Sequence, residues 1–406
     1  MKADLILKSK AIFTATSQTP MDGFVAVQGN KILAVGAKDE ADHWKGENTQ
    51  IRDYGDQLIL PGFCDSHLHL FLGALENDTV NVVNSKSEEE AAKMLYDFYR
   101  DRDDEWVIGF GWFHYHWKEK NLPTKHSLDK YFPNRPVCVF NEEVHSLWVN
   151  SKALEICGIT KDTPNPPGGE IYRDQNGEPT GYLLEPEAMK LITKKALDMP
   201  LEKEMQIFEG VLKKAAQLGV TSVSDIHILD ILKIEAYEAL EKAGKLTLRI
   251  HFAPSLQENI EKLKMLQNQY RSEKLQFTGV KEFIDGTAMA YTGLLIEPYG
   301  DRPDFYGCMM IDPEKLKEKM RLLSKENIRT RLHACGDGAV RLALDIIEEI
   351  QKENPSKAPL RHTIEHIENI HPDDLKRFKE LGVIASVQPD HLWVEVYEEH
   401  PFHKIL

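Results

Sequence analysis

The sequence lacks an excess of basic residues and has no long apolar run. Its 406 residues include 50 Lys and Arg against 65 Asp and Glu, which gives a net charge of −15. Nucleic acids and anionic membrane surfaces both select for basic patches, so we expect neither as a partner. No window approaches ~18 uncharged apolar residues, and the first ten residues contain no apolar core, so we predict neither a membrane span nor a signal peptide.

Cysteine is also scarce. The chain has five cysteines, an odd number, and none forms a Cys-x-x-Cys pair. This usage fits reduced thiols, and we therefore predict a cytoplasmic protein. No predicted strand is followed by a glycine-rich phosphate loop, which argues against a doubly wound cofactor-binding enzyme.

The composition that is present describes a globular protein with a large core, with 42% hydrophobic and 28% charged residues. Residues 1–60 contain short strand patterns at 4–7 and 11–14, followed by a hairpin pattern around Gly29 and Asn30. We interpret this segment as part of a composite β-sandwich domain.

From residue 61 onward, continuous apolar strands alternate with amphipathic helices, which indicates a parallel sheet buried on both faces. A helix predicted at 205–218, for example, ends at Gly219 before an apolar strand. Seven such strands are predicted, one short of a closed α/β barrel of the (β/α)8 TIM type. They are 63–67, 220–225, 247–253, 279–284, 328–333, 361–366 and 382–387.

The gap between the first two strands is too long for one βα unit. We therefore predict a barrel domain at 61–406 that contains an insertion subdomain at 70–219.

Two histidines end the first of these strands, in His67-Leu68-His69. Side chains of a strand alternate faces, so both imidazoles point one way while Leu68 points back into the packing. Two converging imidazoles are half of a first-row metal site. Two unrelated polar residues at a strand exit explain this short pattern equally well when it is taken by itself.

Three later strands carry a candidate ligand near the C-terminal end, namely Lys281, His333 and His366. Catalytic residues of a barrel collect at this rim. A single rim histidine is more often structural, but four histidines at the ends of three strands, with a lysine on another, favour a metal centre. For Lys281 the alternative is a surface lysine paired with Glu282.

Taken together, these motifs resemble the metal-dependent amidohydrolase superfamily, and within it the group that includes N-substituted formamide deformylases. The resemblance extends over most of the chain, from residue 1 to about residue 392. The matching stretches are Pro61–His69, Val280–Gly286, His333–Asp337, Ile364–His366, and the insertion segments His145–Leu154 and Gly168–Gly181.

The resemblance implies that His67 and His69 bind one divalent ion and that His333 and His366 bind a second, with zinc the expected metal. Lys281 would be carboxylated by CO₂ and bridge both ions, and a buried lysine with a depressed pKa can react in this way. A bound water would then supply hydroxide at neutral pH for attack on an amide or formamide carbonyl, with release of an amine.

Three further residues, His145, Trp112 and Asp285, are candidates for binding a small-molecule substrate. His145 and Trp112 fall in insertion segments that could cover the barrel mouth. The resembled family usually has Gly before the residue matching His145, and Val144 stands here instead. Asp285 could orient a metal ligand or shape the turn before Gly286. A homo-oligomer is compatible with the sequence.

The strand-eight aspartate of the resembled family, which carries the proton from water to the leaving group, has no counterpart in this sequence. An open barrel would leave strand edges unpaired. We therefore expect a truncation of a longer protein rather than a barrel that a second chain completes. Two hypotheses follow: a metal-dependent hydrolase of a carbon–nitrogen bond, and a truncated or degenerate homologue that binds metal without turnover.

Overall fold

The structure, a computed structural model, describes residues 1–353 and 359–392. Its strands are β1 (Leu5–Ile12), β2 (Met21–Gln28), β3 (Lys31–Ala37), β4 (Gln50–Asp53), β5 (Leu58–Ile59), β6 (Phe63–Leu68), β7 (Val80–Asn81), β8 (Val107–Trp112), β9 (Val137–Asn141), β10 (Ser146–Val149), β11 (Glu170–Arg173), β12 (Pro179–Leu184), β13 (Val220–Ile226), β14 (Arg249–Ala253), β15 (Leu275–Phe277), β16 (Val280–Phe283), β17 (Thr330–Ala334), β18 (Thr363–His366) and β19 (Ile384–Ser386).

Its helices are α1 (Leu70–Asp78), α2 (Glu88–Tyr99), α3 (Lys125–Tyr131), α4 (Ser151–Cys157), α5 (Pro186–Ala196), α6 (Leu201–Gln217), α7 (Ile234–Lys242), α8 (Ile260–Gln269), α9 (Pro313–Lys325), α10 (Asp337–Glu353) and α11 (Leu375–Leu381). None of the helices in the described ranges is long and apolar enough to cross a membrane. The chain divides into two compact units, Met1–Cys64 and Asp65–Leu406.

The first unit is built on one five-stranded sheet. Strands β1, β2 and β3 pair antiparallel, and the predicted hairpin between β2 and β3 is confirmed. Residues 5–12 form one strand with a register shift between Ser9 and Ile12, so the prediction of two separate short strands here was wrong. Residues 1–64, all of them described, contain no second sheet facing this one, and the composite sandwich stays a prediction.

The second unit contains two kinds of sheet. Between β6 and α6 lies a six-stranded sheet in the order β11-β12-β10-β9-β8-β7. Its inner strands β8 and β9 are buried along their whole length, because α2 packs on β8 while α4 and α5 pack on β9. This sheet makes the long segment before β13 a structured insertion.

The remaining strands form two four-stranded sheets, β6-β13-β14-β15 and β16-β17-β18-β19. The neighbours from β13 to β15 and from β16 to β19 are parallel, and a parallel bridge between Ser255 and Lys281 joins the two sheets. Helices α7 to α11 lie between these strands along the chain. This is the βα alternation of a TIM-type barrel. The expectation that no eighth strand forms concerns residues 393–406, which lie outside the described residues.

One barrel strand differs from the sequence prediction. The expected strand at 279–284 is β16, and β15 precedes it, separated from it by Thr278 and Gly279. Gly279 has φ +133°, and a Cβ there would come within 2.6 Å of the Arg329 carbonyl oxygen. Only glycine fits this position, which lies where the chain passes from β15, paired with β14, to β16, paired with β17.

Candidate metal centre

Four imidazoles meet at the C-terminal ends of β6, β17 and β18. The ring centroids of His67 and His69 are 5.4 Å apart, and that of His67 is 4.7 Å from His366. The rings of His333 and His366 are 4.4 Å apart. The structure therefore brings together all four histidines that the sequence singled out.

Parallel pairing accounts for the part of this convergence that involves β16, β17 and β18. Residue pairs along β16, β17 and β18 place Lys281 beside Arg331 and Ala334 beside His366, so the ends of the strands are in register. At the end of β18, His366 and Ile367 have φ angles of +74° and +53°. Such conformations cost a non-glycine residue roughly 1–3 kcal/mol, and they are retained most often at functional sites.

Hydrogen bonds fix which ring nitrogen three of the four histidines offer. The Nδ1–H of His67 donates to Glu365 Oε2, and the Nδ1–H of His69 donates to the Ile226 carbonyl oxygen, both at 2.8 Å. His333 instead donates from Nε2 to the Gly286 carbonyl oxygen at 3.0 Å. Because these acceptors are oxygens, the opposite nitrogen of each ring keeps its lone pair, as a metal ligand requires.

Burial keeps these four rings neutral. It is the leading cause of a lowered pKa for His67, His69, His333 and His366. Metals bind the neutral imidazole, so all four histidines are in the metal-binding form at neutral pH.

Two buried polar atoms at the centre have no hydrogen-bond partner among the described residues, Lys281 Nζ and His366 Nδ1. Lys281 is 1% exposed, and its Nζ lies 4.6 Å from the centroid of the Phe283 ring. Burial is the main cause that lowers the pKa of this lysine to about 8. Leaving a buried polar group unpaired costs about 1–3 kcal/mol, so the donor set fits a metal ion that these atoms would hold.

An acid and an arginine, both missed by the sequence analysis, support His67. Glu365 Oε1 accepts a hydrogen bond from Arg331 Nε at 2.6 Å, and Arg331 also donates to the Ser66 carbonyl oxygen at 2.6 Å. Burial alone would raise the pKa of Glu365, but His67, Lys281 and Arg331 together lower it to about 2. A carboxylate behind a ligating histidine is a common way of orienting it.

Asp285 lies next to His333 but is engaged elsewhere. Its carboxylate accepts backbone N–H groups of Leu294, Cys335 and Gly336 at 2.8–3.0 Å. These contacts fit the alternative that Asp285 shapes the turn before Gly286, since its carboxylate joins the loops after β16 and β17. Potential donor atoms of Asp285, His333 and Cys335 all lie within 4.8 Å of one another. Cys335 and Asp285 approach His333 on its Nε2 side, at 3.3 Å and 3.9 Å, and not at the nitrogen that keeps its lone pair.

The other two predicted substrate-binding residues have different locations. Trp112 is 1% exposed in the core of the insertion, and its Nε1–H donates to the Val139 carbonyl oxygen at 3.0 Å. The segment that holds Trp112 was expected to cover the mouth and select substrate, whereas this side chain lies in the packed interior. His145, in contrast, reaches the centre, with its ring centroid 5.3 Å from that of His333 and its Nδ1 2.8 Å from Glu185 Oε2.

Comparisons with known proteins agree with this geometry. The model of a family described as the amidohydrolase family matches residues 50–405. The protein LONG AFTER FAR-RED 3 of Arabidopsis thaliana is 31% identical over 402 residues, covering 96% of this chain and 68% of that protein. The N-substituted formamide deformylase of Arthrobacter pascens is 25% identical over 412 residues, covering 97% of this chain and 74% of that protein.

The fold also matches a solved structure. The crystal structure of an uncharacterized metal-dependent hydrolase from Pyrococcus furiosus superposes with a TM-score of 0.75 at 24% identity, covering 99% of this chain and 80% of that one. This likeness supports a fold of the TIM-barrel type. The family match over most of the chain does not favour a degenerate homologue. The chain belongs to the amidohydrolase family and is a metal-dependent hydrolase of carbon–nitrogen bonds.

Proposed function

We propose that this hydrolase cleaves an amide-type or formamide-type bond of a small molecule at a centre formed by His67, His69, Lys281, His333 and His366. The observation that carries the proposal is the buried Nζ of Lys281, which lies among four neutral imidazoles and has no hydrogen-bond partner in residues 1–353 and 359–392. An apolar residue would fill this space at lower cost, so the amine has a role that the protein fold alone does not explain.

The five side chains would hold one or two divalent ions. Zinc is the proposed metal, because its usual ligands include imidazole nitrogen and carboxylate-type oxygen, which carboxylated Lys281 would supply. When bound, such an ion supplies hydroxide at neutral pH by lowering the pKa of water, and it polarises the scissile carbonyl. Lys281 would supply an oxygen ligand after its neutral amine adds to CO₂. In this step an N–C bond forms, the π pair of one C=O bond moves to oxygen, and the proton lost by the nitrogen goes to solvent.

The surrounding residues orient and shield this centre. Glu365 holds His67 through Nδ1, and the Ile226 carbonyl holds His69 in the same way. The near-complete burial of Lys281 and His333 excludes water from the interior side of the centre. A small-molecule substrate and a cytoplasmic location are part of the proposal.

An assay of the hydrolysis of N-alkylformamides and N-acylamines tests this function. The release of formate, of the carboxylic acid and of the amine is measured. We expect metal-loaded protein to hydrolyse at least one of these classes, and the His333→Ala variant to lose turnover. The relative from Arthrobacter pascens makes formamides the first class to examine. Folded, metal-loaded protein that cleaves neither class would contradict the proposal.

A further inference from the structure

The insertion sends an additional imidazole to the metal centre. His145, directly before β10, is 6% exposed, and its ring centroid is 5.3 Å from that of His333. The rings of the candidate ligands are 4.4–5.4 Å from their neighbours. His145 is therefore as close to the centre as the ligands are to one another.

Glu185 fixes the ring of His145. Glu185 Oε2 lies 2.8 Å from His145 Nδ1, and the backbone N–H of Glu185 donates to the His145 carbonyl oxygen, also at 2.8 Å. The other carboxylate oxygen accepts a hydrogen bond from Thr292 Oγ1 at 2.6 Å. Because a carboxylate only accepts, Nδ1 carries the proton and Nε2 is the ring nitrogen available to a ligand.

Holding this pair costs the fold stability. Glu185 is 2% exposed, and its backbone has φ +68° and ψ 154°, a region that is almost restricted to glycine and costs roughly 1–3 kcal/mol. Val144 has φ +59° although it is β-branched. The Asn141 side chain keeps this turn in place by accepting the N–H groups of His145 and Ser146.

A buried carboxylate with a histidine partner is seldom a source of stability, since apolar residues of similar volume do as well or better. A second pair of the same kind, His67 with Glu365, supports a proposed metal ligand at the same 2.8 Å. Since Glu185 holds His145 as Glu365 holds His67, we expect His145 to be oriented toward a bound group at the metal centre.

We propose that His145 contacts the substrate and that Glu185, anchored by Thr292, is its positioning residue, an inference that rests on the proposed function. Through Nε2, His145 hydrogen-bonds the polar CO–NH group of the substrate and fixes how the scissile bond lies beside the metal ligands. The ligand class is a small molecule that carries an amide-like group.

Binding of acetohydroxamate, a small amide-like probe, to the zinc-loaded full chain tests this inference without requiring turnover. We expect His145→Gln and Glu185→Ala to weaken probe binding about tenfold or more while zinc content stays at the unchanged level. Glu185→Gln and Thr292→Val should give smaller losses, because each keeps part of the hydrogen-bonded chain. Glu178→Gln is the matched control, since it removes one charge from an exposed position of the same insertion.

Turnover of an N-alkylformamide gives a second readout. We expect His145→Gly to lower kcat/KM by about 10–100-fold and added imidazole to restore part of it, which a purely structural role would not allow. If Glu185→Ala does not fold, Glu185→Gln and Thr292→Val carry the test.

Three outcomes would overturn the inference: unchanged probe affinity in folded His145→Gln, loss of zinc from that variant, or no probe binding by the unchanged protein. If the unchanged protein binds the probe through His145 but hydrolyses no amide, the proposed function fails while the role of His145 stands.

Discussion

Glu365 binds His67 with one carboxylate oxygen and Arg331 with the other. The two distances are 2.8 Å to His67 Nδ1 and 2.6 Å to Arg331 Nε, and the side chains of all three residues are at most 8% exposed. Glu365 and Arg331 cannot separate without leaving a buried charge unpaired, which costs several kcal/mol. The first-strand histidine is therefore oriented by the protein itself.

Replacing Glu365 by Gln should weaken zinc binding about 10–100-fold, because a neutral amide holds the Nδ1–H of His67 less firmly and leaves Arg331 less well compensated. Competition with a chromogenic chelator measures this affinity. Glu178→Gln serves as the control at an exposed site. An unchanged zinc affinity in a folded Glu365→Gln variant would show that this carboxylate does not support the centre.

Replacing Lys281 by Met should raise the stability of the metal-free protein but weaken its binding of zinc. Without metal, the variant should be more stable by about 1–3 kcal/mol, because an unpartnered buried amine is replaced by an apolar chain of similar length. With metal, it should bind less zinc than the unchanged protein. Denaturant unfolding with and without zinc measures both effects, and a destabilised metal-free variant would contradict the account.

His362 should contribute a separate acid sensitivity to stability. It is buried, its Nδ1 accepts the backbone N–H of Thr330 at 3.1 Å, and burial, aided by Arg329, lowers its pKa to about 4. Since the unfolded chain binds the proton more tightly, stability is lost as the pH falls from about 6.5 to about 4, by up to about 3 kcal/mol.

The His362→Gln variant should lack this component. The difference between its unfolding free energy and that of the unchanged protein, measured at a series of pH values, should therefore vary across this window and be flat above about pH 7. A difference that does not change with pH would assign the acid sensitivity to other groups.

Replacing Trp112 by Phe should lower the free energy of unfolding by about 1–3 kcal/mol, because it removes the hydrogen bond to Val139 and leaves a cavity. KM should stay within about twofold of the unchanged value, since the side chain lies in the insertion core. A large rise in KM without loss of stability would restore the substrate-binding interpretation of Trp112.

Strand parity and strand ends are local features, and for this reason the sequence could single out the candidate ligands. His67 and His69 lie two positions apart, and Lys281, His333 and His366 each mark a recognisable strand. The geometry that gathers them follows from parallel pairing, which the alternation of helix and strand already indicates.

The supporting residues could not be predicted in this way. Glu365 and His67 are separated by 298 positions, and Glu185 and Thr292 by 107, so no local pattern joins them. Trp112 is an aromatic residue of the kind that often binds substrate, but the packing of the insertion sheet places it in the interior. The break at Gly279 depended on the approach of the Arg329 backbone, which a single strand pattern does not reveal.

The metal content of the purified chain tests the central claim most directly. Elemental analysis should find one or two divalent ions per chain, zinc first among them, and His67→Ala and His333→Ala should each lower that number while the Glu178→Gln control retains it. Folded protein without stoichiometric zinc, iron, manganese or nickel, or variants that keep the full metal content, would contradict the proposed centre.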